Sequence, residues 1–321
     1  MAGPITALIV RREKTTRPGF PAMTDVRPRR SVLYMPGSNA RALDKARSLP
    51  SDALILDLED AVAPDAKEVA RTQVADAVRA GGFGTREVLV RVNGPATPWG
   101  AADLAAAVAA APDAILLPKV SSPADLAAAS AVADAADPER RIRLWAMIET
   151  PMAILNIREI AAHAAEPGSR LAGFVLGTND LAKETGARHV PGRLPMLPWL
   201  MTAVAAARAY GIAVVDGVYN DLDDEAGFAV ECASARDMGF DGKTLIHPRQ
   251  IEVANRTFTP SATEVAWAET VVAAFAVPEA AGVGALRVDG RMVERLHAEM
   301  AARTLTLMRA IAERELTASV A

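Results

Sequence analysis

The sequence is poor in cysteine, in aromatic residues and in charge of one sign, and each shortage excludes a class of protein. Its one cysteine, Cys232, rules out a scaffold of disulfides within the chain and fits a reducing, cytoplasmic setting. Because 35 Lys and Arg residues nearly balance 39 Asp and Glu residues, no nucleic acid partner is expected. No apolar run approaches the roughly 20 residues that cross a bilayer, so no membrane partner is predicted.

The composition that remains is typical of a large α/β domain with an appendage. Hydrophobic residues make up 51% of the 321 residues. Residues 1–28 differ, since they are basic and rich in proline and lack hydrophobic periodicity. We expect them to form a disordered N-terminal extension, with Met23 as an alternative start. Cys232 lies among Ala and Val in a helical stretch and is predicted to be a packing residue.

Strand-like runs alternate with stretches of helical periodicity between residues 31 and 246. This alternation predicts an α/β fold, a (β/α)8 TIM barrel, over residues 29–258. An open doubly wound sheet is the structural alternative, although no Gly-x-Gly-x-x-Gly motif follows the first strand. The predicted strands are 31–35, 53–57, 87–92, 114–117, 143–148, 171–176, 212–215 and 242–246.

The last part of the chain, residues 259–321, exceeds what a barrel needs. Helical periodicity recurs over 261–275, and a last helix is predicted over about 293–315. We expect a C-terminal helical extension that packs either on its own barrel or on a neighbouring subunit.

Two acidic residues follow strand-like runs in the middle of the chain. Glu149 comes after the fifth run, and Asp180 comes shortly after the sixth. Residues just past the carboxyl ends of parallel strands face the ligand, so these two carboxylates are expected to lie together. Mg²⁺ prefers oxygen ligands and keeps several waters, which makes it the expected cofactor. Arg91 and Lys119 would supply positive charge for an acid or an enolate near that ion.

The turn after the first strand is a candidate phosphate site. Residues 34–41 read Tyr-Met-Pro-Gly-Ser-Asn-Ala-Arg and lead into a predicted helix. Backbone N–H groups at a helix N-terminus, together with basic side chains, can hold phosphates. The same residues also make an ordinary turn and helix cap.

Taken together, these motifs resemble the citrate lyase beta-subunit-like family, part of the wider group of HpcH/HpaI-type aldolases. That group contains malyl-CoA and citramalyl-CoA lyases and malyl-CoA thioesterases. The resemblance covers nearly all of residues 30–315. Seven motifs carry it in family order: residues 31–38 (SVLYMPGS), 57–62 (DLEDAV), 91–94 (RVNG), 117–119 (LPK), 148–151 (IETP), 177–181 (GTNDL) and 246–248 (IHP).

The resemblance implies a role for each candidate residue. Mg²⁺ would bind to Glu149 and Asp180, with Asn179 beside the bound acid and Arg91 on its carboxylate or reacting oxygens. The coenzyme A contacts would be Tyr34, Asn39 and Lys45. The residues implied to orient Arg91 or the water on the metal are Asp57, Glu59, Asp60 and Lys119.

The resemblance also implies the reaction. We expect a Mg²⁺-dependent C–C lyase that cleaves a 3-hydroxyacyl-CoA of the malyl-, methylmalyl- or citramalyl-CoA type. Its products would be acetyl- or propionyl-CoA and a 2-oxo acid. One alternative is a (3S)-malyl-CoA thioesterase on the same scaffold. The other is a citrate lyase beta subunit that works with an acyl-carrier partner.

The predicted catalytic residues are Arg91, Asp57 and Glu294. In related lyases an Asp of the C-terminal segment acts on the substrate of the neighbouring subunit, and Glu294 stands at the aligned position. A Glu can still act as a general acid or base, although its reach differs by one methylene. An exposed helix residue without a catalytic role is the alternative for Glu294. The family suggests a homotrimer or hexamer.

Overall fold

The computed structural model describes residues 26–277 and 282–320. Eight parallel strands form a closed barrel, since each strand pairs with the next and the eighth pairs back to the first. The TIM-barrel prediction is therefore confirmed. The strands are β1 Ser31–Pro36, β2 Ala53–Asp57, β3 Glu87–Arg91, β4 Ala114–Leu117, β5 Arg143–Ile148, β6 Leu171–Leu176, β7 Ala213–Asp216 and β8 Gly242–Leu245.

Helices follow the strands and cover the outside of the barrel. Their apolar faces bury the outward-facing side chains of the strands in one large core. The barrel helices are α1 Ala40–Lys45, α2 Lys67–Ala80, α3 Gly100–Ala110, α4 Pro123–Ala136, α5 Pro151–Leu155, α6 Ile157–Ala162, α7 Thr178–Thr185, α8 Leu197–Tyr210, α9 Glu225–Met238 and α10 Ile251–Phe258.

The inward faces of the strands form a second, smaller core inside the barrel. Trp145 fills much of this space, and Gly173 makes room for it, because a Cβ at residue 173 would lie 2.7 Å from the Trp145 ring. Successive side chains of a strand point to opposite faces. Inward positions therefore recur every second residue and continue past the strand ends. There they place Asp57, Arg91 and Glu149 on the inner side of the rim.

Two predictions about helices in the barrel need correction. The helical periodicity of residues 152–165 predicts a single helix, but the structure divides this stretch into α5, α6 and a short 3-10 helix, His163–Ala165. The break falls at Asn156, whose backbone (φ −100°, ψ 13°) leaves the helical region. The sequence analysis also missed α7, which begins directly after β6 and contains Asp180 in its first turn.

The C-terminal residues from Thr259 onward belong to a compact unit distinct from Arg29–Phe258. It contains α11 Ala262–Ala276, a hairpin of β9 Ala285–Val288 and β10 Arg291–Glu294, and α12 Arg295–Val320. Its small core includes Val271, Leu286 and Val293. The extension is helical as predicted, but the hairpin was not foreseen. The last helix starts at Arg295 and not at residue 293.

The predicted N-terminal extension lies outside the described residues, apart from residues 26–28. Across the described ranges, none of the helices combines the length and the apolar composition needed to cross a membrane.

Candidate active site

A cavity of about 290 Å³ opens at the carboxyl ends of the barrel strands. Its lining includes seven of the predicted site residues, which lie in or after five different strands. A TIM barrel binds its ligand at this end, because the loops after the strands converge there. The lining residues with polar side chains are Tyr34, Asp57, Asp60, Arg91, Glu149, Thr178, Asn179, Asp180 and Asn220.

Arg91 is the buried cation of this cavity, and Asp57 holds it in place. Arg91 Nε donates to Asp57 Oδ1 at 2.6 Å, and Arg91 Nη2 donates to Asp57 Oδ2 at 2.7 Å. Asp57 also accepts the backbone N–H groups of Glu59 and Ala61. Such a two-pronged pair fixes the plane of a guanidinium. Asp57 therefore orients Arg91, and its own oxygens are fully engaged.

Tyr34 packs against a face of the same guanidinium, whose edge binds Asp57. Arg91 Cζ lies 4.8 Å from the centroid of the Tyr34 ring, a cation–π distance. Burial holds the pKa of the Tyr34 hydroxyl well above its ordinary value, so this hydroxyl stays protonated. Tyr34 thus restrains the face of the Arg91 guanidinium, and Asp57 restrains its edge.

Glu59 and Asp60 both lie near Arg91 Nη1, at 2.7 Å and 3.3 Å respectively. Burial raises the pKa of Glu59 to about 7, even though the guanidinium beside it opposes this shift. Asp60 is largely exposed at the mouth of the cavity. The pair adds negative charge around Arg91, as the sequence analysis predicted for residues that orient it.

The loop that carries Glu59 is tied down by Lys67, which the sequence analysis did not single out. Lys67 Nζ donates to the backbone oxygens of Leu58 and Glu59 and to Asn93 Oδ1, at 2.7 to 2.8 Å. Asn93 in turn donates to Asp103 Oδ2 at 2.6 Å. Lys67 is buried, which is unusual for a lysine, and the sequence gives no sign of this burial.

Glu149 and Asp180 come together as predicted, although they follow different strands. Glu149 is fully buried; its Oε1 accepts the backbone N–H of Lys119 at 2.7 Å, and its Oε2 has no partner. Burial, with the charge of Glu59, raises the pKa of Glu149 to about 8. Despite opposing burial, a hydrogen bond from Lys119 lowers the pKa of Asp180. The two acids differ in their hold on a proton because Glu149 is fully buried, whereas Asp180 lies 2.6 Å from the ammonium of Lys119.

Gly177 provides the space that Glu149 occupies. A Cβ at this position would lie 2.6 Å from Glu149 Oε2 and closer still to Glu149 Cβ. The signal in the sequence was a glycine directly after a strand, next to a strand that ends in an acid. Sequence reasoning alone did not connect the two.

These residues fit a hard divalent cation. Among the described residues, no three His, Cys, Asp or Glu side chains cluster closely enough to enclose a metal. Mg²⁺ is commonly held by one or two carboxylates plus waters and ligand oxygens. A buried carboxylate oxygen without a partner, beside a second carboxylate, offers that arrangement. Glu149 and Asp180 can therefore hold such an ion.

The three predicted coenzyme A contacts lie along the start of the barrel, and only Tyr34 lines the cavity. Asn39 caps α1, since its side chain accepts the N–H of Ala42 at 3.1 Å. Lys45 is the exposed last residue of α1. Their contact with coenzyme A stays a prediction.

Asn179 forms a reciprocal amide pair with Asn220, which the sequence analysis did not single out. Each side chain donates to the other, at 3.1 and 2.8 Å. The pair joins the start of α7 to the loop after β7 at the exposed edge of the cavity. Asn179 is thereby held next to Asp180, and its contact with a bound acid stays a prediction.

Glu294 ends β10 in the C-terminal unit, and its backbone N–H donates to His297 Nδ1 at 2.9 Å. It is a strand residue, so the alternative that made it a helix residue is wrong. Its catalytic role stays a prediction.

A second charged cluster lies beside a larger cavity of about 340 Å³ that shares Thr178 and Asn220 with the first. Asp216 is fully buried and accepts from Arg193 Nη1 and Lys243 Nζ at 2.7 Å. Its two cations hold the pKa of Asp216 low in spite of burial. Since its charges pair among themselves, this cluster serves to join β7 and β8.

Comparison with known proteins agrees with this geometry. Residues 30–248, the greater part of the barrel, match the HpcH/HpaI aldolase/citrate lyase family. The chain belongs to this family. Members of the HpcH/HpaI aldolase/citrate lyase family are enzymes, either lyases or thioesterases.

Individual relatives in the HpcH/HpaI aldolase/citrate lyase family are similar over almost the whole chain. The (3S)-malyl-CoA thioesterase of Cereibacter sphaeroides is 52% identical over 285 residues, which are 89% of this chain and 96% of the relative. The citrate lyase subunit beta of Escherichia coli is 37% identical over 279 residues, 84% of this chain and 89% of the relative.

A solved structure in the same comparison contains the expected ligands. It is the protein CitE of Mycobacterium tuberculosis in complex with magnesium, acetoacetate and coenzyme A. Its identity to this chain is 29%, with a TM-score of 0.70, over 88% of this chain and 97% of the other.

Proposed function

We propose that this protein is a Mg²⁺-dependent thioesterase that hydrolyses (3S)-malyl-CoA. The observation that carries the proposal is the joint presence of the Glu149 and Asp180 pair and the braced Arg91 in one cavity. The 52% identity to a (3S)-malyl-CoA thioesterase supports hydrolysis over C–C cleavage. The lyase that the sequence analysis put first therefore becomes the second candidate.

The proposed roles follow from the contacts. A divalent cation held by Glu149 and Asp180 would act as a Lewis acid on the oxygens of the bound substrate. Arg91, kept in position by Asp57 and Tyr34, would stabilise negative charge that develops on the thioester carbonyl oxygen. In hydrolysis, the water oxygen bonds to the thioester carbon and the C–S bond breaks; one proton of the water goes to the departing sulfur, and the other is released from the new carboxyl group.

The surrounding residues would bind the rest of the substrate. We propose that Asn179 contacts the acid portion and that Tyr34, Asn39 and Lys45 contact coenzyme A. Glu294 would supply an acid–base carboxylate. Assembly as a homotrimer or hexamer and a cytoplasmic location stay predictions.

The two reactions release different products, so one incubation distinguishes them. Purified full-length protein is given (3S)-malyl-CoA and Mg²⁺, and free thiol, malate and glyoxylate are measured. We expect thiol and malate in equal amounts without glyoxylate. Glyoxylate and acetyl-CoA without free thiol would contradict the thioesterase proposal and support the lyase. Activity only on addition of an acyl-carrier protein would support a citrate lyase beta subunit.

A matched pair of variants tests the site. Asp180→Asn removes a charge from the acid pair and should abolish turnover and metal binding. Asp76→Asn removes the same charge from the exposed surface of α2 and should change neither. Wild-type turnover in Asp180→Asn would contradict the placement of the metal.

A further inference from the structure

Lys119 contacts both members of the acid pair from the loop after β4. Its Nζ lies 2.6 Å from Asp180 Oδ2 and 3.8 Å from Glu149 Oε1. Its backbone N–H also donates to Glu149 Oε1 at 2.7 Å. One residue therefore brings two donors, one of them a full positive charge, to the two carboxylates.

The backbone of Lys119 is in an unusual conformation that accompanies these contacts. Its φ of 54° lies in the left-handed region, which residues with a Cβ rarely adopt. Such conformations persist where the surroundings hold them, and they cluster at functional sites. With this backbone, both the amide and the ammonium of Lys119 face the acid pair.

The three partners differ in their freedom to move. Glu149 is fully buried, and the Asp180 side chain is 21% exposed. The Lys119 side chain is 37% exposed, and its ammonium group sits at the end of a flexible four-carbon stem. When a further cation approaches the pair, Lys119 is the member that can swing away without disturbing the barrel.

We propose that the ammonium of Lys119 competes with the divalent metal for Asp180 and, once displaced, binds to the substrate. The metal must displace the ammonium from Asp180 Oδ2, so binding of the metal alone is weakened. The displaced ammonium then contacts a carboxylate of the bound hydroxy acid. Metal and acid therefore strengthen each other's binding, because the acid gives the displaced charge a new partner.

This inference rests on the metal site of the proposed function, and binding measurements separate the two. The full-length protein is titrated with Mn²⁺ alone and with Mn²⁺ plus (S)-malate, with protein-free titrations to account for chelation by malate. For the wild type we expect malate to tighten Mn²⁺ binding by about tenfold, the size of a typical coupling. No activity measurement is needed.

The decisive variant is Lys119→Met, which removes the charge and keeps the length of the side chain. We expect it to bind Mn²⁺ alone about tenfold more tightly than the wild type, since the ammonium that pairs directly with Asp180 Oδ2 is gone. We also expect malate to tighten Mn²⁺ binding to this variant less than it does in the wild type, because only the contribution of Lys119 is lost. Lys119→Gly, which suits the left-handed backbone and keeps the N–H, should behave in the same way if Lys119→Met folds poorly.

Lys183→Met is the matched control. Lys183 is an exposed lysine in α7 whose charge also acts on Asp180, but no hydrogen bond joins the two. It should leave both the Mn²⁺ affinity and the effect of malate close to the wild-type values. Unchanged or weaker Mn²⁺ binding in both Lys119 variants, or an equal gain in Lys183→Met, would overturn the inference while leaving the metal site intact. Failure of the wild type to bind Mn²⁺ would overturn the metal site and the inference together.

Discussion

Replacing Gly177 by Ala should damage the site through one added methyl group. The new Cβ would lie 2.6 Å from Glu149 Oε2 and nearer still to Glu149 Cβ, whereas ordinary contacts begin near 3.4 Å. The backbone at Gly177 (φ −98°) is open to Ala, so the effect is a clash and not backbone strain. Glu149 must therefore move by about 1 Å within a close-packed barrel.

The magnitude follows from this displacement. Overpacking of this kind costs about 1–3 kcal/mol of unfolding free energy. At about 2–4 °C per kcal/mol for a domain of this size, the Tm should fall by several degrees. A 1 Å misplacement of a catalytic group can lower turnover by about 100-fold. Gly177→Ala should therefore lower turnover by about 100-fold while the Tm falls by only several degrees.

Two assays and one control test this reasoning. Thermal unfolding gives the change in Tm, and thiol release from malyl-CoA gives the change in turnover. Gly94→Ala is the matched control, because a Cβ at residue 94 would meet no atom within 4 Å. It should be nearly neutral in both assays. If Gly177→Ala and Gly94→Ala behave alike, the close packing of Gly177 on Glu149 does not position the acid.

Two further predictions concern charges around the barrel. Because the pKa of Glu59 is raised from 4.5 to about 7, its contribution to stability is full below pH 4.5 and is lost as pH rises towards 7. The stability advantage of the wild type over Glu59→Gln should therefore shrink between pH 4.5 and 7 in urea titrations, and a constant difference would refute the shift. Lys243→Met leaves the Asp216 carboxylate buried with one cation fewer, so it should lose about 3–5 kcal/mol in the same assay; a loss below 1 kcal/mol would contradict the role of the cluster.

The barrel was predictable because its strands are short apolar runs at regular spacing. All eight were placed within a residue or so of their observed ends. The sequence analysis predicted a last helix from about residue 293 and missed the β9–β10 hairpin, whose turn contains Asp289 and Gly290, both with positive φ. Glu294, which the predicted helix included, is instead the last residue of β10.

The candidate site was predictable in its members and not in its contacts. Arg91, Glu149 and Asp180 stand at strand ends, where position alone suggests convergence. The bracing by Lys67 and the packing of Gly177 depend on which loops meet in space. The order of residues does not show that an ammonium is buried, and a glycine after a strand does not show which side chain packs against it.

The join between the last two strands has a consequence for how this fold can diversify. Asp216 and Lys243 are neighbours in the register of β7 and β8 and are also partners in an ion pair. The acids and the guanidinium of the candidate site lie at the ends of β2, β3, β5 and β6, while Asp216 of β7 and Lys243 of β8 form this ion pair. Substitutions that change the reaction can therefore accumulate at the strand ends of the candidate site, while the ion pair between β7 and β8 keeps the barrel closed.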